Sequence, residues 1–397
     1  MTPKPTEPAP VPLLAGVFVV ALALRIVWHL TAHPVDWPDT AVYIADGNSL
    51  FAHGMMKSYL YMPLYPVLIH VLGPDGVLWL QAPLSAATAV LAAVLAFELF
   101  ASVPAAAAAG LLAAFHPLLI FYADMRLSET VFTFLELAGL VALYRGRWWL
   151  GATALVLGIL TRPALDLVAP LIVLSFGLLG RAGGGWRQPA RGLAIYAVVY
   201  LVLMTPWWLH NWEKYGHFVR LDLDDGIVMR LENNSVFDRV GLDFGAFRSV
   251  LDFPEIKDPV ALDDARKAAA FRYIVDHPLH YLWRCIERLG RFWTPLPGSR
   301  HFGVELVACV ASVTIYLGLV LSLLKWRVEW RRLLPVLLPI LFLTAVHAAT
   351  HALPRYRLPL EPLFAALAGG WYGPALAAAA ARLRRPRSAG PPNGIEA

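Results

Sequence analysis

Apolar positions in this chain come in long runs rather than in the alternation of a strand or the one-sided stripe of a soluble helix. Runs occupy residues 12–31, 77–99, 104–122, 129–144, 148–161, 165–180, a stretch ending at Thr205-Pro206, 303–324, 333–350 and 358–380. Many reach or approach the roughly 20 residues that a helix needs to cross a bilayer. The pattern predicts an all-α, polytopic integral membrane protein with about ten transmembrane helices. It divides the chain into a Pro-rich tail over 1–10, a transmembrane domain over 11–381 and a basic tail over 382–397. Polar residues gather in four intervening pieces: 32–76, 122–128, 211–302 and 351–357.

The first polar piece contains a different pattern. After Pro38, residues Tyr43, Gly47, Leu50 and Phe51 fall on one face at helical spacing, with Asp46, Asn48 and Ser49 largely on the other. This predicts a short amphipathic helix along the membrane surface, with Pro38 in its first turn. Asp36 and Asp39 stand at its N-terminus, where the positive end of the helix favours an ionised carboxylate. The two prolines of Tyr61-Met-Pro-Leu-Tyr-Pro66 then break any continuous helix, leaving 63–73 as a short interfacial or re-entrant piece. Within the first run, Arg25 is expected to face the bundle, because a charge facing lipid is costly.

Composition agrees with the pattern. Of 397 residues, 58% are hydrophobic and 15% charged, against about 25% charged in soluble domains. The formal net charge of +5 sits in short loops: Arg145/Arg147, Arg181/Arg187/Arg191, Lys325/Arg327/Arg331/Arg332 and Arg382 to Arg387. Ten spans with an inside N-terminus put all four clusters on the cytoplasmic side of the cell membrane, together with both termini. Such placement signals orientation, not a nucleic-acid partner. The four polar pieces then share the opposite face. Two cysteines, Cys285 and Cys309, are too few for a disulfide framework. Gly183-Gly-Gly185 lacks the Lys-Ser/Thr of a nucleotide-binding loop, and His277 and His280 lack companions for a metal, so no metal or cofactor is expected.

Several residues on the extracytoplasmic face are candidates for chemistry. Asp36 and Asp39 suit a general base, although helix capping is the commoner use of Asp there. Ser128 and Glu129 open a span and equally suit capping. Arg162, followed by Pro163, marks a corner between spans. Trp207, Trp208 and Trp212 read as an interfacial aromatic belt rather than a stacking platform. Arg355 and Arg357 lie outside, against the cytoplasmic bias of the other basic clusters. Binding of a phosphate by their planar guanidiniums and snorkelling to lipid headgroups explain that placement equally well.

The order of these pieces resembles the GT-C glycosyltransferases, and among them the family-39-type group of protein mannosyltransferases and aminoarabinose transferases. The residues that bring the resemblance are Asp39 and Tyr43 with Gly54, Pro63-Leu-Tyr-Pro66, His116-Pro117 with Ser128-Glu129, and Arg162-Pro163. Pro206-Trp207 with Asn211 and Gly216, Asn233-Asn234, His277-Pro278, and Arg355-Tyr356 before Pro359 complete it. The family often shows an Asp-Glu pair where Asp39-Thr40 stands, and an Arg where His210 precedes Asn211. The resemblance implies transfer of a sugar from a polyprenyl-phosphate donor to a hydroxyl of a protein, lipid or glycan acceptor, with inversion at the anomeric carbon. Asp39, or failing it Asp36, would act as base. Arg355, Tyr356, Arg357 and Arg162 would meet the donor phosphate, with Tyr43, Glu129, His210 and Asn211 as further site residues. The rival reading is a transporter or lipid flippase, for which broken helices and an intramembrane Arg are also suited.

Overall fold

Each of the ten apolar runs forms helix in the computed structural model, which describes residues 9–32, 35–179, 187–241, 250–296, 298, 302–325 and 330–383. Among the described residues there is no strand. The 181–186 linker, nearly all of the 1–10 tail and the tail beyond 383 lie outside them. In chain order the helices are α1 (Val11–Thr31), α2 (Pro38–His53), α3 (Leu64–Phe100), α4 (Val103–Ala114), α5 (Pro117–Ala123), α6 (Glu129–Tyr144), α7 (Trp148–Thr161) and α8 (Ala169–Leu179). Then come α9 (Arg187–Tyr215), α10 (Asp225–Glu232), α11 (Phe237–Val240), α12 (Pro259–Asp276), α13 (Pro278–Trp293), α14 (Phe302–Lys325), α15 (Trp330–Ala349) and α16 (Glu361–Leu383). A 3-10 turn over Pro354–Leu360 leads into α16.

Ten apolar helical segments do not amount to ten full-length spans. Among the described residues α1, α3, α9, α14 and α15 are each long and apolar enough to cross a membrane, and α4 with α5, bent by 52°, makes a sixth. The helices α6, α7 and α8, with 16, 14 and 11 residues, fall short of the usual crossing length. Prolines mark the breaks: Pro117 follows the bend at His116, and Pro163 follows Arg162 at the end of α7.

The core is built around α16, which packs against α4, α14 and α3. Residues Leu363 to Ala368 are all fully buried, so this part of its N-terminal half is surrounded by protein on every side. Close approach rests on small residues. A Cβ on Gly369 would lie 2.5 Å from Ala105 O, and one on Gly373 2.3 Å from Ala105 N, so α4 and α16 touch through their backbones.

Arg25 does point into the bundle and is 1% exposed. Its guanidinium donates to Ser85 Oγ (3.0 Å), Ala21 O (3.1 Å), Ala114 O (2.7 Å) and Ala113 O (3.3 Å). The last two are carbonyls at the end of α4, just before the bend toward α5, where Pro117 has no N–H to give Ala113 O and His116 N donates to it at 3.4 Å.

The piece after Pro63 is a short helix that joins the following span at Gly73, whose φ of 78° and ψ of 161° are non-helical. Such a positive φ is tolerated best by glycine. The amphipathic α2 starts at Pro38 as expected, but its faces differ from the pattern in one respect. Asp46 is fully buried beside Tyr43 and Gly47, while Phe51 is exposed. Asp46 accepts from Ser58 N at 2.6 Å and from Ser58 Oγ, fastening α2 to the loop that follows.

The long polar segment forms an outer lobe of α10 to α13, in which α12 packs on α10. Its centre is Glu232, fully buried, which receives Arg288 (3.2 Å), Arg291 (2.8 Å) and the imidazole of His351. Burial would raise the pKa of Glu232, but His351, Arg291 and Arg288 together hold it below its ordinary value. The lobe is thereby tied to the segment that leads into Pro354.

Candidate active site

Four chain segments meet where α2, α6, the corner after α7 and the turn before α16 converge. Asp39, second residue of α2, does not cap it. That end is closed by Thr40, whose Oγ1 accepts from Trp37 N at 3.3 Å and donates to Arg126 O at 3.2 Å. The Asp39 carboxylate turns away instead and pairs with Arg355 Nη1 at 3.0 Å. Tyr61 lies within hydrogen-bonding reach of it; burial, and then the charge of Asp39, raise the phenol pKa, so Tyr61 remains a donor.

Ser128 is likewise not a cap. Its hydroxyl lies 3.1 Å from the Tyr43 hydroxyl and accepts from Arg162 Nη1 at 3.1 Å. Glu129, buried at the first position of α6, places both cations, with Oε1 3.0 Å from Arg162 Nη1 and 4.0 Å from Arg355 Nε. The two guanidiniums approach one ring, that of Tyr356, at 5.9 and 5.2 Å from its centroid, and Arg355 also lies 4.8 Å from the Trp37 ring. Burial would lower the pKa of Arg355, but Glu129, Tyr356 and Asp39 raise it above its ordinary value. Both cations are therefore permanent. With the side chains of Asp39 and Arg162 21% and 24% exposed and that of Arg355 12% exposed, the cluster is reachable from outside yet poorly solvated.

One participant was not visible in the sequence. Asp224, at the head of α10, lies close enough to Asp39 and Arg162 to feel both charges. Burial, then the negative charges of Asp225 and Asp39, push its carboxyl up to about 7 against the pull of Arg162. It is brought there by a strapped loop. Asn211 Nδ2 donates to Val219 O (3.0 Å) and Leu221 O (3.1 Å), Trp207 to Leu221 O (3.0 Å) and Trp208 to Arg220 O (3.0 Å). Arg220 pairs with Asp166 at 2.9 Å, and Leu223 N donates to Tyr59 O at 2.8 Å. Trp207 and Trp208 are thus straps on this loop, with Trp207 buried, rather than belt residues; Trp212 is exposed.

The structure brings together Asp39, Tyr43, Glu129, Arg162, Arg355 and Tyr356. It places the other candidates elsewhere. Asp36 is 61% exposed and paired with Arg126 at 2.7 Å, not with Arg355 or Arg162. Arg357 is buried, its guanidinium consumed by Glu361 (2.7 Å), Phe292 O (2.6 Å) and Thr294 O (2.7 Å). With three residues per turn in the 3-10 helix, positions two apart do not share a face, so Arg355 and Arg357 leave it on different sides. His210 accepts from Met56 N at 3.1 Å and stacks on Trp207, so with Asn211 it supports loops around the site. Among the described residues no group of three or more His, Cys, Asp or Glu is placed to hold a metal ion.

No family model and no curated protein matches the chain. Among solved structures, the chain is similar to ArnT from Cupriavidus metallidurans bound to undecaprenyl phosphate, at 17% identity and a TM-score of 0.46, over 94% of this chain and 80% of that one. The apo state of the same protein gives 16% identity and a TM-score of 0.42, over 93% and 79%.

Proposed function

We propose that the chain is a membrane glycosyltransferase that moves a sugar from a polyprenyl-phosphate donor to an acceptor hydroxyl on the extracytoplasmic face. The observation that supports this reading is the convergence of a carboxylate, Asp39, and two permanent cations, Arg355 and Arg162, around Tyr356. A displacement at an anomeric carbon asks for those two things, a base for the incoming hydroxyl and positive charge for the leaving phosphate.

The resting ion pair between Asp39 and Arg355 gives the reaction an order. An incoming phosphate competes for Arg355, and as the guanidinium turns to it, Asp39 loses its partner and becomes a stronger acceptor. The acceptor oxygen then attacks C1 of the sugar while its proton passes to Asp39. The bond from C1 to the phosphate oxygen breaks, and polyprenyl phosphate leaves with the electron pair, held by Arg355 and Arg162. A single displacement of this kind inverts the anomeric carbon. Glu129 lies 3.0 Å from Arg162 and 4.0 Å from Arg355 and offsets the repulsion between the two cations.

The test is purified protein in lipid with a polyprenyl-phosphate sugar and a panel of protein, lipid and glycan acceptors. Free polyprenyl phosphate should appear in step with glycosylated product. Movement of unaltered donor across a sealed vesicle, with none released, would establish a flippase instead.

A further inference from the structure

The helix α13 is inside out for part of a water-facing lobe. Leu279, Leu282, Trp283 and Ile286 recur at spacings of three and four and are 81%, 58%, 58% and 59% exposed. Its arginines Arg284 and Arg288 point the other way, while Glu287, beside the stripe, accepts from Trp283 Nε1 at 3.0 Å. Arg288 is fully buried and donates to Glu232 Oε2 (3.2 Å) and Asn233 Oδ1 (2.8 Å), while Arg284 reaches Asp238 (2.9 Å). Just before α13, Phe271 and Val275 of α12 leave two more large apolar side chains exposed.

Its position says what covers this stripe. Tyr281 Oη and Arg288 Nη1 both donate to Ala349 O, at 3.1 and 3.0 Å, and Ala349 is the last residue of the apolar helix α15. Phe292, one turn beyond Arg288, stacks on His347, two residues before Ala349, at 5.4 Å. The next helix, α14, begins at Phe302 with 79% of that side chain's surface exposed, as expected of a residue facing lipid. α13 therefore lies at the mouth of one apolar helix, and the chain leads from it into another that opens on an exposed apolar residue.

We infer that α13 is an interfacial helix whose stripe of Leu279, Leu282, Trp283 and Ile286 is inserted among the lipids of the extracytoplasmic leaflet. Apolar burial in the interface drives the seating, and Trp283 suits the headgroup boundary. Because the opposite face of α13 grips Glu232, and Glu232 grips His351, the bilayer fixes the height of the outer lobe above the spans. This reading does not depend on the reaction proposed above.

Spin labels at positions 279, 282 and 286, each alone in a Cys285→Ser/Cys309→Ser background and reconstituted in lipid nanodiscs, test it. Glu255, exposed in the lobe, gives the aqueous reference. Labels on the stripe should be several-fold more accessible to oxygen than to a water-soluble nickel chelate, with the order reversed at 255. Chelate accessibility at 282 and 286 equal to that at 255 would overturn the inference. So would low accessibility to both reagents with dipolar broadening, which would assign the stripe to a second copy of the chain.

Discussion

Replacing Arg355 by Ala probes the reasoning about the site at its centre. Among the described residues, the substitution removes the only cation within ion-pair distance of Asp39 and one of the two that approach Tyr356, leaving Arg162 with Glu129. A donor phosphate then meets one guanidinium instead of two. Losing a charge-assisted hydrogen bond costs about 1.5–3 kcal/mol. At about 1.4 kcal/mol per factor of ten, donor kcat/KM should fall roughly tenfold to over a hundredfold. Arg355→Lys should recover part of the loss, since it restores charge but not the planar fork or its contact with Trp37. The assay is release of polyprenyl phosphate at sub-saturating donor, alongside thermal unfolding in detergent to show that the fold survives. Asp39 retains access to water in the variant, so folding is not expected to fail. A folded Arg355→Ala protein with unaltered donor kcat/KM would refute the phosphate assignment.

Three further outcomes are expected. Asp39→Asn should abolish transfer without loss of folding, whereas Asp36→Asn should leave turnover near normal, because the exposed pair with Arg126 is worth about 0–1 kcal/mol; the reverse result would move the base to Asp36. The Asp224 carboxyl, pushed up to about 7, is neutral below that pH and adds a negative charge beside the phosphate site above it. Donor affinity should therefore fall as pH rises through about 7, and an unchanged profile in Asp224→Asn would contradict this; the raised pKa likewise makes its stability contribution decline from the ordinary carboxylate range up to pH 7. Reporter fusions after residue 190 should report the cytoplasm and after residue 245 the outside, and a cytoplasmic signal from the latter would overturn the shared face.

The helices were legible in the sequence because an apolar run excludes water whatever it packs against. Pro38 announced α2 and the cost of a lipid-facing charge announced the inward Arg25. Periodicity says which residues share a face, but not what that face meets when lipid, protein and water are all available. Hence Asp46 read as solvated and is buried, and the stripe of α13 was hidden inside a segment that reads as polar overall. The convergence of Asp39, Glu129, Arg162 and Arg355 came from the resemblance in motif order, since no spacing rule links residue 39 to residue 355. Asp224 was missed because an acidic run in a polar loop has the signature of a solvated turn, and only the straps from Asn211, Trp207 and Trp208 draw it inward.

The hold of Arg25 on the last carbonyls of α4 bears on how the chain is made. When α1 leaves the ribosome, its arginine has Ala21 O within its own helix, but Ser85, Ala113 and Ala114 have not yet been synthesised. An arginine at the centre of a span costs about 2.5–3.5 kcal/mol on insertion scales; Arg25 stands nearer the end of an otherwise strongly apolar α1, so the helix enters the bilayer with its guanidinium only partly satisfied. It stays so until α3 and α4 arrive with Ser85 and the carbonyls of Ala113 and Ala114. The guanidinium is thus expected to reach its full set of partners only once the fourth helix is threaded. A chain truncated after α3 should be degraded faster than one truncated after α5.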